Sequence, residues 1–160
     1  MQTETMLALQ SCLKRDESKE NQTRQMCLVR MILKINQDVV RKGLMQIEHY
    51  KSETADFPML WKGLTLVRGG MEPQDVVSIL RNMAVANQVD LLESLLVIDG
   101  VQSIQYMRFP DQTKEWLFSH FHVSMHEQLT MCLKDLDIDA WKPLCGVLSK
   151  EEIEKLLESR

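Results

Sequence analysis

The sequence predicts an all-α fold: one helical bundle of about six helices in a single domain over residues 1–160. Three observations carry that expectation. Apolar residues recur at three- and four-residue intervals through most of the chain. Only six glycines and four prolines occur, so long uninterrupted elements are expected. Pro58, Gly69-Gly70, Pro73 and Pro110 fall at the ends of the periodic runs. A hydrophobic content of 44% and a charged content of 26% are ordinary for a chain that buries a core.

Taken in order, the first helix is expected from about Thr5 to Lys14, anchored by Leu7, Leu9 and Leu13. The polar run Arg15 to Gln25 is either a loop or the solvated start of the next helix. From about Thr23 the residues Met26, Val29, Ile32, Leu33, Val39, Leu44, Ile47 and Tyr50 keep helical spacing, which predicts one long helix ending near Ser52. Asp56, just before Phe57-Pro58, is the expected cap of a third helix, because an aspartate accepts bonds from a helix's open first amides. Gly69-Gly70 stops that helix, since glycine accepts the left-handed backbone that closes a helix end. Pro73 opens the next, with an apolar stripe from Val76 to Leu96. Asp99-Gly100 reads as a helix stop, ahead of a hairpin turn. Pro110-Asp111 starts another helix running through Trp116 and Phe121 to Leu133. A short element follows at Trp141 to Leu144, and a last helix begins at Ser149.

Several function classes are disfavoured. A net charge of −4 argues against blanket neutralisation of nucleic-acid phosphates. No run reaches the roughly 20 apolar residues of a spanning helix, so membrane insertion is not expected. The N-terminus lacks the pattern of a signal peptide, which makes the cytoplasm the expected location. Cys12, Cys27, Cys132 and Cys145 form no Cys-x-x-Cys pair and are expected to be free thiols. No phosphate-binding loop, dinucleotide fingerprint or nucleophile elbow is present, so the chain reads as non-enzymatic and without a cofactor. The alternative is a metal-dependent enzyme built on His122 and His126, which would share one helix face, with Glu127 or Cys132 recruited as a further ligand. Asp135, Asp137 and Asp139 lack the glycine and terminal glutamate of a calcium loop and read as a turn.

One stretch is more specific. From Arg41 to Leu80 the chain reads RKGLMQIE, a polar spacer, DFPMLWKGLTLVRGG and MEPQDVVSIL. Over about residues 27–80 this succession resembles the cytoplasmic helical segment of the MotA family, the stator subunits of the bacterial flagellar motor, with the membrane helices absent. The resemblance implies a protein partner, a flagellar rotor or switch component. In that family an arginine before the Gly-Leu and the glutamate after it meet charged residues of the rotor protein FliG. Glu48 stands at the matching place; Arg41 is two residues before Gly43, whereas some members place their arginine where this chain has Val40. On the residues alone, Arg41 and Glu48 would lie two turns apart on one helix face, and Lys62 and Arg68 add positive charge on the next helix. Gly43 would let a neighbouring helix approach closely. Such a charged face docks a partner by charge complementarity.

The end of the chain, GVLSKEEIEKLLESR, places Ser149 three residues before Glu152 as a capping box, with Ile153, Leu156 and Leu157 on one apolar face. This resembles the short N-terminal peptide of the flagellar switch proteins FliM and FliN. The expected function is therefore a cytoplasmic protein-interaction module of the flagellar motor or chemotaxis machinery. A general helical adaptor, whose C-terminal helix lies in a partner's groove, is the alternative. The apolar stripe of the long helix suits a homo-oligomer seam equally well.

Overall fold

The computed structural model describes residues 3–138 and 150–158. Among them are eight α-helices: α1 (Thr3–Cys12), α2 (Lys19–Lys42), α3 (Pro58–Arg68), α4 (Pro73–Ala86), α5 (Leu91–Gln105), α6 (Pro110–Phe118), α7 (His126–Cys132) and α8 (Lys150–Glu158). Three 3₁₀ segments join them, at Leu44–Tyr50, Val123–Met125 and Lys134–Leu136. The described residues contain no strand, so the all-α class holds with more helices than expected. No helix among them is long and apolar enough to cross a membrane. The element expected at Trp141 to Leu144, the Ser149 cap and Cys145 lie outside the described residues.

Helix α5 is the axis of the packing: every residue from Leu92 to Ile104 is buried, and α1, α2, α3, α4 and α6 pack around it. A helix that is apolar on all sides must be enclosed in this way. Its two carboxylates, Glu93 and Asp99, are matched across the bundle. Arg24 of α2 donates to both carboxylate oxygens of Glu93, each at 3.1 Å. Asp99 is hydrogen-bonded to His120 beyond α6. Asp99-Gly100 is thus neither a stop nor a turn but the middle of α5. Gly100 is there because a Cβ at that position would sit 2.7 Å from two carbons of Ile32. The same holds at Gly63 of α3, where a Cβ would meet Val101 at 2.7 Å. Close helix approach therefore belongs to Gly63 and Gly100, not to Gly43, which has nothing within 4 Å of a Cβ.

Gly43 does a different job. Its φ of 96° ends α2, so the single long helix to Ser52 is not formed. The chain turns into the 3₁₀ segment, and the buried Tyr50 hydroxyl donates back to the Asp38 carboxylate of α2. Burial, and after it this hydrogen bond, push the Tyr50 phenol above the usual tyrosine range.

The expected run from Pro73 to Leu96 is also two helices. Gln88 takes a φ of 50°, with its amide on the Val85 carbonyl and that of Val89 on Ala84, a Schellman closure without glycine. Met107, φ 55°, ends α5 in the same way, with its amide on Ile104 and that of Arg108 on Ser103. Gly70 closes α3 as expected, with Met71 donating to Leu66. Asp90 caps α5 by accepting from the Glu93 amide. Asp56 does not cap α3; its carbonyl accepts from Arg24 at 2.6 Å, and Phe57 takes the cap position. Pro58 starts the helix without a side-chain cap because its φ is already helical. Leu9 of α1 and Leu13 just after it are buried, but Leu7 points to solvent.

The helix expected from Pro110 to Leu133 breaks after Phe118. His126 donates from Nε2 to the Phe118 and Phe121 carbonyls, at 3.0 and 3.3 Å, holding the corner between α6 and α7. The segment after α7 is fastened to α2: Arg30 binds both oxygens of Asp135, at 2.5 and 2.6 Å, and Gln37 donates to the Leu136 carbonyl. The Arg30 hydrogen bonds hold the Asp135 carboxyl below the usual carboxylate range.

Candidate functional site

The charged residues singled out in the sequence come from three elements. Arg41 is in the last turn of α2, Glu48 is on the 3₁₀ segment, and Lys62 and Arg68 are on α3. Arg41 and Glu48 are therefore not two turns apart on one helix, because Gly43 intervenes and the 3₁₀ segment has a different pitch. What the fold brings together instead is Glu48 and Arg68: Nη1 of the arginine donates to Oε1 of the glutamate at 2.6 Å. This pair joins the 3₁₀ segment to the C-terminal turn of α3. Its side chains are 55% and 33% exposed, so it contributes about 0–1 kcal/mol at most. Its role is orientation. Ile47 and Tyr50 are buried and fix the inner side of the segment, while Met45 stands 65% exposed on its outer side. Arg41 and Lys62 are exposed, and neither side chain has a hydrogen-bond or ion-pair partner among the described residues.

No family model, curated protein or solved structure matches this chain. Its site is therefore argued from its own geometry.

The histidines do not assemble as the metal alternative requires. His122 precedes the 3₁₀ segment Val123–Met125 and His126 is the first residue of α7, so they do not share a helix face. His122 Nδ1 faces the amide and hydroxyl of Ser124, and His126 is committed to two carbonyls. Among the described residues no group of three or more His, Cys, Asp or Glu side chains stands together to hold a metal. His120 is drawn instead to Asp99.

The C-terminal helix forms as α8, with Leu157 exposed; the side chains of Ile153 and Leu156 lie outside the described residues.

One constellation was missed in the sequence. The Arg108 guanidinium lies 5.6 Å from the Tyr106 ring centroid and 5.0 Å from that of Trp116. These residues straddle the corner between α5 and α6, and only the left-handed Met107 brings them together. The available signal was the run Tyr106-Met107-Arg108-Phe109-Pro110, an arginine among aromatics at a helix boundary.

Proposed function

We propose that this chain is a non-enzymatic protein-interaction module of the flagellar motor machinery, acting in the cytoplasm. It docks onto a charged helix of a rotor component through the surface that carries Arg41, Glu48, Lys62 and Arg68. The observation that carries this reading is the exposed Glu48–Arg68 pair, which orients one carboxylate and one guanidinium on the outer side of the 3₁₀ segment and α3. A partner's charged side chains can exchange into such a pair at little cost, because an exposed ion pair is only weakly bound to itself. Arg41 and Lys62 supply two further cations with no internal partner to release. Charges arranged like this set orientation and encounter rate. The resemblance of residues 27–80 to the MotA family supplies the partner class, a protein of the FliG type.

The experiment is a titration of the purified chain with FliG, followed by calorimetry at two salt concentrations. Glu48→Lys and Arg41→Glu are each expected to weaken binding by about tenfold or more, with the effect shrinking at high salt. Unchanged affinity in variants that keep the native circular dichroism spectrum would rule out this surface. A second reading, an adaptor working through α8, is favoured by the exposure of Leu157 at its end. Deleting residues 149–160 abolishes binding under that reading and leaves it intact under the first.

A further inference from the structure

The corner between α5 and α6 carries an exposed cluster unrelated to the charged surface above. Tyr106, Met107 and Trp116 are 54%, 40% and 42% exposed. The Tyr106 and Trp116 rings are bridged by Arg108, whose guanidinium lies near both. A groove of about 450 Å³ opens beside them, lined by Arg108, Gln112, Glu115, Trp116 and Ser119.

Arg108 is held in place before any partner arrives. Arg108 Nη1 donates to the Ser103 hydroxyl at 3.0 Å, its amide closes α5 on the Ser103 carbonyl, and its own carbonyl accepts from the buried Asn36 at 2.9 Å. Met107 is locked in the left-handed region by the same closure. A side chain already ordered loses little entropy on binding. Trp, Tyr and Arg are also the residues over-represented where interface energy concentrates, and Met is enriched at interfaces.

The charge pattern selects the partner. The Arg108 guanidinium has five N–H donors, of which one is used on Ser103, and no carboxylate pairs with it among the described residues. Glu115 lines the same groove without forming an ion pair to it. A planar donor set between two aromatic rings suits a carboxylate held through two hydrogen bonds, with apolar side chains beside it resting on Trp116 and Met107.

We infer that this corner is a second docking site, which takes an acidic-apolar peptide segment of a partner protein: one Asp or Glu flanked by large aliphatic or aromatic residues. The carboxylate binds Arg108 and the neighbouring side chains cover Trp116 and enter the groove.

The test selects a random-peptide library displayed on phage against the immobilised full chain, then measures the affinity of the enriched synthetic peptides by fluorescence anisotropy. The expected result is a shared Asp or Glu next to Leu, Ile, Phe or Trp. Affinity falls about thirtyfold in Trp116→Ala, as for an interface residue of this kind. Arg108→Lys loses nearly as much, since a lysine keeps the charge but not the planar pair of donors. Glu48→Lys, on the other surface, leaves peptide binding unchanged. Peptides without a shared acid, or binding indifferent to Trp116→Ala or to Arg108→Lys in folded protein, overturn the inference. Sedimentation equilibrium supplies the other refutation: a dimer of the chain that Trp116→Ala converts to monomer would mean that a second copy covers this corner.

Discussion

Replacing Gly100 by alanine tests the packing of α5 on α2 directly. A Cβ there would lie 2.7 Å from both Cδ1 and Cγ2 of Ile32 and 3.1 Å from its Cγ1. Carbon atoms in contact prefer about 3.5–4.0 Å, so the two helices would have to part by roughly 1 Å or Ile32 would have to turn. Turning is costly, because an isoleucine in a helix has essentially one χ1 rotamer, and Ile32 is fully buried. Overpacking of this kind costs about 1–3 kcal/mol. Against it stands the helix propensity of alanine over glycine, about 1 kcal/mol in favour of the substitution. The net expectation is a loss of about 1 kcal/mol, with an upper value of about 2 kcal/mol. The decisive measurement is a double-mutant cycle, by urea denaturation followed in far-ultraviolet circular dichroism. In an Ile32→Ala background the obstruction is gone and only the propensity remains, so Gly100→Ala should then stabilise by about 1 kcal/mol. The sign reversal gives a coupling of about 2 kcal/mol, well within what contacting residues show. If Gly100→Ala stabilises the otherwise native chain by the full propensity gain of about 1 kcal/mol, as it should in the Ile32→Ala background, the close crossing of α2 and α5 at this point is wrong.

Two further expectations follow from the buried polar pairs. Tyr50, buried and bonded to Asp38, has its phenol pKa raised in the folded state, so its contribution is complete below the unfolded value of about 10 and is lost as pH rises through the folded one. The urea midpoint should therefore fall on the alkaline side more steeply in the native chain than in Tyr50→Phe; parallel curves would exclude the linkage. His120→Ala removes a partner from Asp99, which is only 1% exposed, and should destabilise by about 1–3 kcal/mol in the same denaturation assay. His120→Gln, which keeps a donor, should recover part of that loss; an equal loss in both variants would mean that the imidazole acts by packing alone.

The sequence by itself determined the elements that announce themselves locally. Pro58, Pro73 and Pro110 each stand at the start of a helix because a fixed helical φ and a missing N–H suit that position in any tertiary setting. Gly70 ends α3 for the same kind of local reason, a left-handed φ of 81°. Apolar periodicity likewise singled out Val29, Ile32, Leu33, Val39 and Ile47, all of which are buried.

Tertiary structure decided what depends on partners remote in the chain. Gln88 and Met107 close their helices without glycine, so nothing in their identity marks a stop; the backbone bonds around them and the packing of the next helix hold them there. Asp99-Gly100 reads locally as an interruption, yet continues as helix because Ile32 fills the space the glycine leaves and His120 binds the aspartate. The charged surface follows the same rule. Glu48 was singled out for its relation to Arg41 along one helix, and the fold gives it instead to Arg68, twenty residues away. Local rules report the cost of a backbone conformation at one residue, whereas a pairing between side chains exists only once separate helices have been packed against each other.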